Sequence, residues 1–187
     1  MSAYSILVFL HVIAALGIFA ALAIEWTSLS QLRHARSIGM VREWLRPIRA
    51  LRFLGGPALL VLLVTGLAML PHWRGQAWVG LGLVGLILMG ILGGGVSGRR
   101  LRTLGRAIPS DGGTMPPVLS AQLRDPVLLQ SAWLRTGVGV GVVFLMTVKP
   151  GPVIAVITLS VSMLLGAAAS LAGRSRQPAG TAHAAQE

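Results

Sequence analysis

Among the four histidines, seven methionines and single lysine of this 187-residue chain, five side chains stand where their donor atoms could together serve a haem iron or a copper ion: the imidazoles of His11 and His72, the thioethers of Met69 and Met146, and the amine of Lys149. Haem can take an axial pair from such groups, and copper takes imidazole and thioether. No two histidines stand at an HxxxH spacing on one helix, so such a site has to be assembled from separate segments. Two further ionisable groups, Glu25 and Arg135, stand in or at the edge of apolar sequence. A charge in those surroundings is costly unless paired, and the two are expected to form a structural ion pair between helices. A proton or ion relay would need a second acidic group in the apolar runs, and the sequence has none there.

Other chemistries are excluded residue by residue. The chain has no cysteine, which removes disulfides, thiolate-bound zinc and iron–sulfur clusters. No GxSxG elbow occurs, and Asp111 and Asp125 fall in or beside a loop remote from His11, so no catalytic residue is assigned and no enzymatic activity is expected. Gly80, Gly82 and Gly85 spell GxGxxG, but they lie inside an apolar run without the preceding strand or the following acidic residue that dinucleotide binding needs.

The elements that must position these residues are membrane spans. Hydrophobic residues make up 54% of the chain and charged ones 11%, less than half of the ~25% usual for a soluble domain. The net charge of +11 does not point to nucleic acid, because the arginines flank apolar runs and have few interleaved aromatics to stack on bases. Their expected partner is the anionic cytoplasmic leaflet of a bilayer, at about 1 kcal/mol per basic residue. A span takes roughly 20 apolar residues, and five are expected, over residues 5–26, 54–70, 78–96, 126–148 and 153–172. The apolar run from Ile6 to Ile24 has no basic residues before it and is long for a signal peptide, so it is read as retained.

Local signals bound the spans. Gly55, Gly56 and Pro57 are expected to open the second, the Gly98–Arg100 cluster to stop the third, and Asp125 with Pro126 to cap and begin the fourth. Lys149 to Pro152 form a tight turn, and residues 173–187 form a disordered cytoplasmic tail. The connection from Ala107 to Arg124 contains Pro109, Gly112, Gly113, Pro116 and Pro117 and is expected to be irregular. Between spans one and two, Ile38, Val41, Leu45, Ile48, Leu51 and Leu54 recur at helical spacing among arginines. They form either an amphipathic interfacial helix or extensions of the two spans beyond the bilayer.

Arginine placement orients the bundle. Fourteen of the sixteen basic residues fall in residues 33–52, 99–135 and 174–176, all on one side of a five-span layout, and only Arg74 and Lys149 fall on the other. The basic side is cytoplasmic, so the N-terminus is outside and the C-terminus inside. Trp26, Trp44, Trp73, Trp78 and Trp133 lie near span ends as an interfacial belt. This layout brings His11, His72 and Lys149 to the sparsely charged outer face, with Met69 and Met146 about one turn deeper, and places Glu25 and Arg135 on the inner one. Gly90, Gly94 and Gly98 recur every four residues, as do Gly137 and Gly141, which marks spans three and four as close-packing helices within the bundle or against a partner.

Three segments carry a family resemblance: Leu10 to Ala15, the stretch LVLLVTGLAML from Leu60 to Leu70, and FLMTVKPG from Phe144 to Gly151. They resemble bacterial integral membrane proteins of the domain of unknown function 2269 family. That resemblance implies a small helical bundle with a histidine early in the first helix and a Lys-Pro-Gly turn near the last hairpin. More distantly, the early histidine is similar to copper-resistance and b-type-cytochrome-like membrane families, which implies a ligand-type position for His11. A matching second histidine deep in another span is missing here.

The expectation is an all-helical, five-span protein of the bacterial inner membrane, a non-catalytic accessory module that packs against a membrane-protein partner or itself and carries no cofactor. The alternative is a haem b or copper protein with an outer-side site at His11, His72, Met69, Met146 and Lys149. A small-solute transporter is a third reading, against which stands the lack of an inverted repeat.

Overall fold

Ser2 and Ser37 each accept a backbone N–H, from Ser5 and Met40, and from these caps the first two helices run for 31 and 32 residues as α1 (Ala3–Arg33) and α2 (Ile38–Met69). At 1.5 Å per residue each is about 46 to 48 Å long, well beyond the ~30 Å of a hydrocarbon core. The computed structural model describes residues 2–73, 75–109 and 115–175. Five of its helical stretches are long and apolar enough to cross a membrane. Among the described residues there is no strand.

The long α1 and α2 decide between the two readings of the first connection. There is no separate interfacial helix: both spans continue past their apolar runs and turn within residues 34–37. Ile38, Val41, Leu45 and Ile48 are buried, so this part of the apolar stripe packs inward, whereas Leu51 is half-buried and Leu54 exposed. Gly55, Gly56 and Pro57 therefore do not open a helix, and α2 carries both Pro47 and Pro57 in its interior. An interior proline removes one backbone hydrogen bond, a loss of about 3 kcal/mol. The length of α2 packed along α1 offsets it.

After a single 3₁₀ turn at Leu70–Trp73, α3 (Ala77–Gly90) passes into a π-helical stretch at Ile91–Ser97 and then into α4 (Gly98–Arg106). The Gly98–Arg100 cluster ends the apolar run but not the helix, because arginine is a good helix former once the chain has left the hydrocarbon. The connection expected to be irregular holds a short helix, α5 (Pro117–Leu123), begun by a proline that suits a first turn. Residues 110–114 of that connection lie outside the described residues. The fourth span starts as expected: Asp125 accepts the Val127 N–H, and Pro126 opens α6 (Pro126–Val148). Helix α7 (Pro152–Ser175) takes in the first residues of the expected tail, and residues 176–187 lie outside the described ones.

Helices α1 and α2 make one hairpin, and α3, α6 and α7 make a second unit with α6 in its middle. At the arginine-rich end Leu32, Val41, Leu45, Leu104 and Leu119 close into a core shared by both. A second core at mid-height joins Ile18 and Leu22 to Met89, Val138 and Leu159. Large apolar side chains such as Phe9, Leu16, Leu60, Ile154 and Leu164 point outward, a surface that only an apolar surrounding would satisfy.

Candidate functional site

Toward the end where arginine is sparse the two units separate, and a cavity of about 450 Å³ lies between them. Small-molecule sites span roughly 300 to 1,000 Å³. Polar and aromatic groups gather at its mouth, where Tyr4, Trp73, Gln76 and Lys149 meet. Below them the walls are aliphatic, with Val8, Leu62, Leu67, Leu83, Leu86 and Val142. Val142 lies seven residues before Lys149 on α6, so the apolar part reaches about 10 Å below the mouth.

Four of the five donor-bearing residues anticipated for the outer face line this one cavity: His11, Met69, Met146 and Lys149. His72 does not. Its ring lies against Tyr4 with centroids 4.8 Å apart, and it is exposed. His11 sits on α1 with Nδ1 2.8 Å from the Thr65 hydroxyl on α2. Thr65 donates its own proton to the Val61 carbonyl oxygen at 2.6 Å, so it can only accept from His11. The imidazole is thereby held with its proton on Nδ1, leaving Nε2 as the acceptor or ligand nitrogen.

Lys149 ends α6 in the left-handed conformation, φ 51° and ψ 54°, with its N–H donating to the Leu145 carbonyl oxygen. Pro150 follows and disfavours a right-handed helical residue before it. A non-glycine residue in this region is strained, and such strain concentrates at binding sites and clamps. The Lys149 ammonium stands over the Trp73 ring, 3.9 Å from its centroid, and 6.0 Å from that of Trp78. Trp73 in turn donates its indole N–H to the Tyr4 hydroxyl and meets Trp78 edge-on. The indole N–H of Trp78 is buried and has no acceptor among the described residues.

As a metal site this set offers one imidazole and two thioethers. Among the described residues no three His, Asp or Glu side chains come together. His34 sits at the arginine-rich end, bonded to the Ser30 carbonyl oxygen, and His72 is not among the cavity-lining residues, so among the described residues His11 is the one histidine that lines it.

Glu25 and Arg135 meet in the interior, where α1 touches α6. Arg135 Nη2 donates to Glu25 Oε1 at 2.5 Å, and both side chains are less than one-tenth exposed. The same nitrogen reaches the Ser97 hydroxyl at 3.4 Å, Ser97 donates to Ser131, and Ser131 donates to the Leu92 carbonyl oxygen. Leu92 and Ser97 both belong to the π-helical stretch, whose widened turn frees that carbonyl. Gly93 gives the guanidinium room: a β-carbon there would stand 3.2 Å from Arg135 Nη1.

The anticipated packing glycines divide. Gly137 and Gly141 face α7, where a β-carbon on Gly137 would strike the Ser162 carbonyl oxygen. Gly90 faces Leu59 of α2, and Gly98 faces the Gly93 carbonyl oxygen one turn earlier. Gly94 meets nothing within 4 Å. Two residues absent from the anticipated set bear on the cavity: Thr65 holds the His11 ring and Trp78 lines the wall. A lone threonine in LVLLVTGLAML was a visible signal, whereas Trp78 reads as one more belt tryptophan until its depth is known.

Five such helices around these cores define the class, a multi-pass helical membrane protein. Comparison of the chain with family models, curated proteins and solved structures finds no match.

Proposed function

We propose that this protein is a non-catalytic membrane module that holds an amphiphilic small molecule between its helical hairpin and its three-helix unit. The observation that carries this reading is the cavity of about 450 Å³, polar at the mouth and aliphatic below, opening at the sparsely charged end. An amphiphile has the same polarity order along its length, so it enters with its head at the mouth and its chain between α2, α3 and α6. The arginine distribution supports an orientation with this mouth outside and the basic end in the cytoplasm of a bacterium. An accessory role beside a membrane partner is compatible with it, Gly94 being the glycine of the repeat that faces open space.

The test uses tryptophan fluorescence of the reconstituted protein with a brominated fatty acid as quencher. Trp73 and Trp78 line the cavity, whereas Trp26 and Trp133 pair with each other elsewhere. Saturable quenching is expected in Trp26→Phe/Trp44→Phe/Trp133→Phe and not in Trp73→Phe/Trp78→Phe. Gly66→Leu, which projects bulk toward His11, should remove it. Equal, non-saturating quenching of both tryptophan sets would sink the reading, and a Soret band in the purified protein that disappears in His11→Ala would replace it with the haem alternative.

A further inference from the structure

Resting on the cavity reading above, we infer that the molecule held there carries an anionic head, a carboxylate or phosphate, which Lys149 and Trp78 recognise together. Two donors without an acceptor among the described residues belong to the cavity lining, and the Lys149 ammonium stands 6.0 Å from the centroid of the Trp78 ring. The Lys149 ammonium is exposed and rests on an aromatic face, and among the described residues no carboxylate pairs with it. The carboxylates of Glu25 and Asp125 are engaged by Arg135 and Arg100 toward the other end. Trp78 is 4% exposed and its indole N–H, a donor that can never accept, is left without a partner among the described residues. An orphaned buried donor is destabilising, so the closed-off N–H of a tryptophan that lines the cavity beside a cation points to an acceptor supplied from outside the chain, reached once the indole turns toward it. Water could satisfy a neutral donor, but the combination of a cation and a second donor above an aliphatic shaft selects an anion that has an apolar chain attached.

The placement of Lys149 supports the same conclusion. Its left-handed backbone and the proline after it hold the side chain at the rim, where it stays hydrated when the cavity is empty and needs no rearrangement to meet a head group. The ring of Trp73 beneath the ammonium orients it at little cost, because an exposed cation–π contact is weak compared with a charge-assisted hydrogen bond. The Nε2 lone pair of His11, lower in the cavity, is an acceptor and suits the chain end of the molecule no better than water does, which places the anion at the mouth and not at the floor.

The experiment is competition against the brominated probe in the full-length reconstituted protein, using decanoate, didecanoyl phosphatidate, decanol and decyltrimethylammonium. At least one of the two anions should bind about tenfold or more tightly than decanol, the size expected of a hydrogen bond to a charged group. Whichever anion leads identifies the source, a free fatty acid or a phospholipid. Lys149→Met should bring the anion down to the level of decanol without changing decanol itself, Lys149→Arg should retain the preference, and Trp78→Phe, read through Trp73, should weaken anion binding severalfold. Equal affinity for decanol and both anions, or a preference that survives Lys149→Met, overturns the anion inference while leaving the cavity reading in place. Failure of every competitor and of the probe to bind the unmodified protein overturns both.

Discussion

At Glu25 and Arg135 the cost of a buried charge and the means of meeting it are both on view. Each side chain is nearly buried, and each answers the other at 2.5 Å while serines and a freed carbonyl take up neighbouring polar atoms. Removing one partner strands the other, so Glu25→Ala should destabilise by about 3 to 5 kcal/mol in thermal unfolding in detergent. Glu25→Leu combined with Arg135→Met should lose less than either single change, and a double variant worse than both singles would show that the pair does more than neutralise itself. Thr65→Val leaves the His11 N–H without its acceptor and should cost about 1 to 3 kcal/mol by the same measurement. The existence of a Glu–Arg pair was readable from cost alone, since both residues interrupt apolar sequence. The Ser97, Ser131 and Leu92 network was not, because nothing in ILGGGVS distinguishes a π-helical turn from an α-helical one until Arg135 is seen to need the space.

Among the helices, the glycine repeats are used mainly inside the bundle. The closest approach is between α6 and α7, where Gly137 and Gly166 let two backbones touch and Gly141 makes room for the Ser162 side chain: a β-carbon at Gly166 would stand 2.8 Å from the Trp133 carbonyl oxygen. Backbone cannot step aside as a flexible side chain can, so Gly137→Leu and Gly166→Leu should lower the unfolding temperature strongly or prevent folding. Gly94→Leu meets open space and should leave the unfolding temperature nearly unchanged. A shift in the oligomeric state of Gly94→Leu on native gels would reveal a partner on that face, and an unaltered state would argue against one. Periodicity marked which glycines form stripes but not which neighbour each stripe meets, because a four-residue spacing carries no information about the azimuth of the adjacent helix. The same limit applies to α2. Gly55, Gly56 and Pro57 read as a helix start from local preference, and packing along α1 overrode that preference.

For the molecule as a whole, the segregation of arginine yields a prediction about orientation. The chain has no cysteine, so single introduced cysteines report accessibility cleanly. Gly151→Cys in the α6–α7 turn should react with an impermeant maleimide in intact spheroplasts, whereas Ser120→Cys in α5 should react only after lysis; the reverse pattern would invert the layout. Apolar runs, caps and basic flanks determined by themselves that the chain is all-helical, that it has five stretches able to cross a membrane, and where α6 begins. They could do so because these signals depend on residue type and local spacing, which are properties of the chain before it folds. Only the tertiary structure decided that the hairpin and the three-helix unit close at the arginine-rich end and separate at the other, that His11, Met69, Met146 and Lys149 share the resulting cavity while His72 does not, and that the Trp78 donor finds no acceptor among the described residues. Those outcomes depend on how far apart two packed surfaces come to rest and which way each helix is turned, and apolar helices of one composition can pack in many ways until particular contacts, such as Glu25 with Arg135 and glycine backbone with backbone, select one.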